Sequence, residues 1–126
     1  QLGATAENAA RLMDAGVIVA ISHLGDSSHQ ARLSTQVAGN AVANGLSHDD
    51  AMKALTTNPA QIFGLQGPGA RADIVVWDGD PLEVTSNPDA VMIDGELQSL
   101  ETRQTQLRDR YLTLDESKRP LAFVKP

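Results

Sequence analysis

Apolar positions in the first half of the chain recur at helical spacing, and in the second half they alternate. Ala6, Ala9, Ala10 and Met13 lie three and four residues apart, joined by Leu12, which predicts a first helix. Thr5 is placed to cap it, Glu7 puts a negative charge in its first turn, and Gly16 suits its C-terminal end. Val17-Ile18-Val19-Ala20-Ile21 follows at once and is continuous rather than periodic. A short unbroken apolar run after a glycine predicts a strand buried on both faces, the usual state in a parallel sheet. A polar segment from Ser22 to Arg32 separates it from a second helix, about Leu33 to Asn44, with Val37, Ala38, Ala41 and Val42 on one face and Gly45 as its stop. Ser47 caps a third helix with Asp49 and Asp50 in its first turn and Ala51, Met52 and Leu55 facing inward. Asn58-Pro59 breaks that helix, and Pro59 opens a short helical turn through Ile62 and Phe63 that Gly64 closes.

Beyond Gly64 the pattern turns to β. Gln66-Gly67-Pro68-Gly69 reads as a loop, Ile74 to Trp77 as a strand and Asp78-Gly79-Asp80-Pro81 as a tight turn. Val91-Met92-Ile93 and Glu96-Leu97-Gln98 flank Asp94-Gly95, a two-residue hairpin signal. The tail from Leu100 to Tyr111 is polar with a narrow stripe of Leu100, Leu107, Tyr111 and Leu114, fitted to pack across a neighbouring surface. These shifts divide the chain into residues 1–65, 66–99 and 100–126.

Composition narrows the function classes. Aromatic residues are only 3% of the chain, so packing leans on Ala, Val, Leu and Ile. A formal net charge of -6 offers no basic surface for nucleic acid or anionic lipid. Without cysteine there is neither a disulfide framework nor a thiolate metal site. No apolar run approaches membrane-spanning length and no signal-peptide pattern is present, so a soluble protein is expected, with cytoplasm and periplasm both left open. The chain opens on Gln1 rather than Met, the expectation being a piece of something larger.

The chemistry concentrates just after the buried run. In α/β barrels and open parallel sheets, reacting groups sit at the carboxyl ends of strands. Asp26 stands there, with His23 as a rival. His29 and Arg32 follow in the same segment as candidate substrate contacts, Arg32 through bidentate binding of a carboxylate, or else as a solvent-facing histidine and one half of an ion pair. His48 reads as a surface residue, Asp73 as a holder of its loop through backbone hydrogen bonds, and Trp77 and Phe63 as packing between the two halves. Asp78-Gly79-Asp80-Pro81 lacks the spacing and closing Glu of a calcium loop.

The order of these pieces resembles the metal-dependent amidohydrolases, in the branch that includes imidazolonepropionase-like proteins. Val19-Ala20-Ile21 leading to Gly25-Asp26-Ser27-Ser28-His29-Gln30-Ala31-Arg32 resembles the eighth barrel strand and following loop, and Gly39 to Leu46 the next helix. Ala51 to Ala60 is similar to the A-x-x-A-L-T-x-N-P-A signature, and Pro68 to Pro81 to the G-x-x-A-D-I-V-x-W-x-G-D-P segment. Val91-Met92-Ile93-Asp94-Gly95 resembles the strand and turn near the family's end. The resemblance implies an α/β fold comprising the last β/α units of a (β/α)8 barrel and the C-terminal strands of a small β-sandwich. It implies hydrolysis of a C–N bond in an amide, cyclic amide or peptide-like substrate, with a divalent metal, zinc, held mainly by a His-x-His pair, a bridging lysine or glutamate and two further histidines upstream of this segment.

On that resemblance Asp26 is metal ligand and catalytic base, since a carboxylate beside a cation can take a proton from the attacking water and return it to the leaving nitrogen. Ser22-His23-Leu24-Gly25 intervenes between strand and Asp, which keeps His23 as the alternative ligand, and the short G-x-I-x-x-G strand usual before the A-D-I-V segment is missing. The segment alone is expected to be inactive and unable to stand as a compact domain. Its partners are then the remainder of its own polypeptide and the substrate, a homo-oligomer being allowed. A non-catalytic barrel relative serving as scaffold or binding protein, and an independent small α/β binding domain, are the alternatives.

Overall fold

The computed structural model describes residues 5–22, 28–67 and 71–112. They form a mixed α/β arrangement of short helices followed by a small sheet. The helices are α1 (Asn8–Asp14), α2 (Ser34–Ala43), α3 (His48–Leu55), α4 (Thr57–Ile62) and α5 (Arg103–Leu112), with a 3₁₀ helix at Ser28–Leu33. The strands are β1 (Ile74–Trp77), β2 (Pro88–Ile93) and β3 (Glu96–Leu97), ordered β1-β2-β3 and antiparallel throughout. No helix among the described residues is long and apolar enough to cross a membrane.

Helix ends follow the local chemistry. After α1 the amide of Gly16 donates to the carbonyl of Met13 (2.9 Å) and that of Val17 to Leu12 (3.0 Å), with Gly16 at φ +80°. Gly45 and Leu46 repeat these two bonds on Val42 and Ala41 after α2, with Gly45 at φ +100°. This pair of bonds satisfies carbonyls that a helix end leaves free, and it needs a residue that tolerates positive φ. Ser47 caps α3 as expected, its hydroxyl accepting from the amide of Asp50 at 3.1 Å. At the start of α1 the expectation shifts. Thr5 Oγ1 accepts from the Glu7 amide (3.3 Å) in a local turn, so the helix begins only at Asn8. Pro59 is the third residue of α4 rather than its first. Its ring excludes a regular helix around the carbonyl four residues back, Leu55, and the chain breaks at Thr56 (φ -125°, ψ -81°).

The core is small and built from small residues. Ala38 of α2 and Ala51 of α3 are fully buried, joined by Leu46 between them and by Leu82 from the loop after β1. Ala9, Ala10, Met13, Ile21, Ala41, Val42, Met52 and Leu55 pack around this cluster. Alanines at the crossing let α2 and α3 approach closely. Leu82 then fills the remaining space. Gly39 makes room for that insertion, because a Cβ there would lie 2.7 Å from the carbonyl oxygen of Leu82.

The loop that carries Leu82 is tied at both ends. The Asp78 amide donates to the Asn87 carbonyl (3.0 Å), and the Asn87 amide donates to Asp78 Oδ1 (2.7 Å). Inside it, Asp80 Oδ1 accepts from the Leu82 amide (2.9 Å) while Oδ2 meets His48 Nε2 at 2.8 Å. Asp80 thus shapes the turn and fastens it to the first residue of α3.

The hairpin forms as its sequence predicts. Asp94 (φ 55°) and Gly95 (φ 82°) are both left-handed, and Ile93 pairs with Glu96 and Met92 with Leu97. Asp73 Oδ1 accepts from the Asp94 amide at 2.8 Å, the loop-holding role expected of it. Strand β2 starts earlier than expected, at Pro88, a proline being tolerated as the first residue of a strand.

Two expectations fail. Val17 to Ile21 lies outside any strand, and Val17 and Ile18 are about half exposed, 47% and 48%. A two-face-buried strand needs sheet neighbours and covering layers, and the described residues supply neither. Phe63, expected to pack between the halves, is exposed, since α4 ends at the surface. Trp77 is half-buried.

Two outcomes follow for the intact protein. Gly39→Ala gains about 0.5–1 kcal/mol of helix preference but forces a methyl onto the Leu82 backbone, and such overpacking costs about 1–3 kcal/mol. Net destabilisation is expected, read as a lower urea midpoint at unchanged slope. The carboxyl of Asp80 is held below the usual carboxylate range, first by the Leu82 amide and then by its hydrogen bond to His48. A carboxylate with a depressed folded-state pKa stabilises fully above its unfolded value and loses that contribution as pH falls through the folded one, here below about pH 4. Asp80→Asn, which keeps an oxygen for the Leu82 amide, is therefore expected to flatten the acid limb of the stability curve, measured by thermal midpoints from neutral pH downward.

Candidate functional site

The segment expected to carry the chemistry is described up to Ser22 and again from Ser28. His23 and Asp26, the two candidate ligands, lie outside the described residues. His29 falls in the 3₁₀ helix Ser28–Leu33, and Arg32, near the end of that helix, is exposed. Among the described residues Arg32 makes no ion pair.

What the structure does place is the approach to that segment. Val17 to Ser22 runs beside the junction of α3 and α4. The Ile21 amide donates to the carbonyl of Ala54 (3.0 Å), and Asn58 Nδ2 donates to the carbonyl of Val19 (2.8 Å). The A-L-T-x-N-P-A residues therefore have separate physical tasks. Ala51 and Ala54 are fully buried, Thr56 Oγ1 donates to the Met52 carbonyl (2.7 Å), Pro59 stops the helix, and Asn58 reaches back across 39 residues of sequence. Reading Asn58 only as part of a helix break missed this. The available signal was an amide side chain next to a proline, at a point where free helix-end carbonyls also collect.

A cleft of about 460 Å³ opens between α2 and the loop after β1. Gln36 and Asn40 of α2, His48 of α3 and Asp80, Glu83 and Val84 of the loop line it. His48, expected to be a plain surface residue, is half exposed and engaged with Asp80. Both oxygens of Asp80 are occupied, one by the Leu82 amide and one by His48, so it is not placed as a free base. Nothing local in the sequence links two residues 32 positions apart.

Elsewhere at the start of α3, Asp50 is held below its ordinary range by Lys53 (2.9 Å) and then by the Ser47 hydroxyl (2.7 Å), and Lys53 is raised by the same contact. These are exposed capping interactions. Among the described residues no three His, Asp or Glu side chains come together as a metal site, so the described part of the chain does not by itself fit a metal.

The model of the Amidohydrolase family matches residues 1–98. The amidohydrolase tasK of Hapsidospora irregularis is 43% identical over a 60-residue alignment covering 43% of this chain and 6% of that protein. A crystal structure of an amidohydrolase from Thermotoga maritima superposes with a TM-score of 0.67 at 35% identity, over 75% of this chain and 26% of that one. The chain thus spans about a quarter of the solved neighbour and a small part of the curated relative. With its family model matched over most of its length, the chain belongs to the amidohydrolase family.

Proposed function

We propose that this chain is the C-terminal part of a metal-dependent amidohydrolase of the imidazolonepropionase-like branch, whose intact form hydrolyses a C–N bond in an amide, cyclic amide or peptide-like substrate. The observation that carries the reading is the family match over residues 1–98. Residues 1–65 are then the end of a (β/α)8 barrel, 66–99 the C-terminal share of a small β-sandwich, and 100–126 a terminal helix and tail. The uncovered faces of the three-stranded sheet suit a second sheet formed by another part of the polypeptide.

Asp26 acts as the base in this reading. Its carboxylate accepts a proton from the attacking water and returns it to the nitrogen that leaves, so one group serves both steps. A divalent cation, zinc, supplies when bound the positive charge that polarises the scissile carbonyl and acidifies the water. Asp26 is the one ligand assigned here and the others come from upstream, so the segment alone is inactive. His29 and Arg32 are the substrate contacts in this reading, Arg32 as a bidentate donor to a carboxylate. Neither nucleic acid nor a membrane is a partner in this reading.

The test uses the intact protein with hydantoin, an N-acylated amino acid and an unblocked dipeptide as probes. Asp26→Asn nearly preserves shape while removing the proton acceptor, and general-base catalysis contributes on the order of 10²–10⁴-fold. The turnover number is expected to fall by that factor with the fold retained, and His23→Asn by much less, with bound zinc assayed for both variants. Near-normal turnover in Asp26→Asn overturns the assignment of Asp26 as base, and no turnover in the parent itself favours the non-catalytic relative. A larger loss in His23→Asn moves the ligand to His23.

A further inference from the structure

We propose that Asn44-Gly45, where the chain leaves α2, is a site of spontaneous deamidation that the end of this helix holds closed and that reacts when the end opens. The chain has five asparagines, and Asn44 alone precedes a glycine. Asn58 and Asn87 precede prolines, which have no amide N–H with which to attack a side chain. Asn8 and Asn40 precede alanines, whose Cβ hinders the nitrogen as a glycine does not.

The reaction needs only the chain's own atoms and water. The Gly45 nitrogen gives its proton to solvent and forms a bond to Asn44 Cγ. The Cγ–Nδ2 bond breaks, and that nitrogen leaves as ammonia with a proton taken back from solvent. Water then adds to either carbonyl of the cyclic imide. Opening at one gives aspartate, and opening at the other gives isoaspartate, with the main chain routed through Cβ. Nothing is oxidised or reduced.

The folded geometry opposes the first step at both reacting groups. The Gly45 amide donates to the Val42 carbonyl at 3.1 Å, which holds the proton it must lose. The Asn44 carboxamide is engaged elsewhere, its Nδ2 donating to the Asn40 carbonyl at 2.7 Å. That carbonyl is open to it because the Asn44 main-chain amide bonds to Ala41 (3.1 Å), one residue short of its helical partner. Bringing the Gly45 nitrogen onto Cγ requires rotation about the Cα–C bond of Asn44, where ψ is 28°. The same rotation carries the Gly45 amide off Val42 and the Leu46 amide off Ala41 (3.0 Å). Leu46 is buried at 4% exposure and resists that movement. Attack therefore waits for the last turn of α2 to open, and helix ends open far more readily than a whole fold.

The product does not let the end close as before. A carboxylate at position 44 has no hydrogen to give Asn40 and sets negative charge at a helix C-terminus, where the macrodipole disfavours it. Isoaspartate lengthens the main chain just ahead of Leu46, the residue buried between α2 and α3. An opening that ends in reaction is thereby made permanent. The inference is independent of the role of Asp26.

The test incubates the intact protein at mildly alkaline pH, folded and in urea. Mass spectrometry follows the peptide containing Asn44, and enzymatic methylation counts isoaspartate. The folded chain is expected to deamidate about tenfold or more slowly than the unfolded one, since the bonds at Gly45 and Asn44 must both be broken first. Ala43→Gly, exposed in the last turn of α2, loosens that end without touching the reacting pair. It should speed the reaction in the folded protein about two- to fivefold and leave the rate in urea unchanged. Asn44→Asp installs one product and should lower the thermal midpoint. Equal rates folded and unfolded overturn the closed state. A folded rate indifferent to Ala43→Gly overturns the opening of α2 as the route, and absence of product even in urea removes the site altogether. An unchanged midpoint in Asn44→Asp overturns the lasting effect on the fold.

Discussion

Leu82 joins the two halves of the described structure. It is buried at 8% exposure among residues of α2, α3 and their connection, although it comes from a loop between two strands of the sheet. Every neighbouring feature accommodates that one insertion. Gly39 withholds a side chain where the Leu82 backbone crosses α2, and Asp80 bends the chain through the Leu82 amide while pairing with His48. Asp78 and Asn87 close the loop behind it. Because the helical partners are mostly alanines, which bury little area each, one leucine supplies a large share of the apolar contact between helices and sheet.

Legibility in the sequence followed the range of the forces involved. Ser47, Gly16, Gly45 and the Asp94-Gly95 turn were readable because capping and tight turns are decided within about four residues. The helical faces of α2 and α3 were readable for the same reason, periodicity being local. The inward set was right for Val37, Ala38, Ala41, Val42, Ala51, Met52 and Leu55, all buried or half-buried. Pro59 was recognised as a breaker but placed wrongly, because its steric effect acts four residues earlier than the proline itself. His48 with Asp80 and Asn58 with Val19 were not readable, since each pair is formed by tertiary placement across more than thirty residues.

The run Val17 to Ile21 shows the limit of composition as evidence. Its residues are those of a buried strand, yet a strand is a relation between chains and not a property of five side chains. Among the described residues its Val19 carbonyl and Ile21 amide are bonded by Asn58 and the Ala54 carbonyl, and no ladder forms. Its apolar side chains accordingly divide. Ile21 packs against the alanine core, while Val17 and Ile18 stay near half exposure. The sequence-level inference of strand character and the absence of a ladder are thus compatible, because the first concerns side-chain preference and the second concerns partners.

The same reasoning applies to the sheet. Side chains alternate along β1, so Ile74 and Val76 lie on one face and Val75 on the other, and all three are close to half exposed. Neither face of β1 is therefore covered by the helices, whose contact runs through Leu82 instead. An antiparallel sheet with one wet face would show polar residues alternating with apolar ones. Three consecutive β-branched residues argue that both faces are meant to be dry. Covering them would remove apolar area from water at roughly 25 cal/mol per Å², a gain the small alanine core does not provide. In the proposed assembly this uncovered surface and the half-exposed Val17-Ile18 edge are where the rest of the polypeptide adds stability.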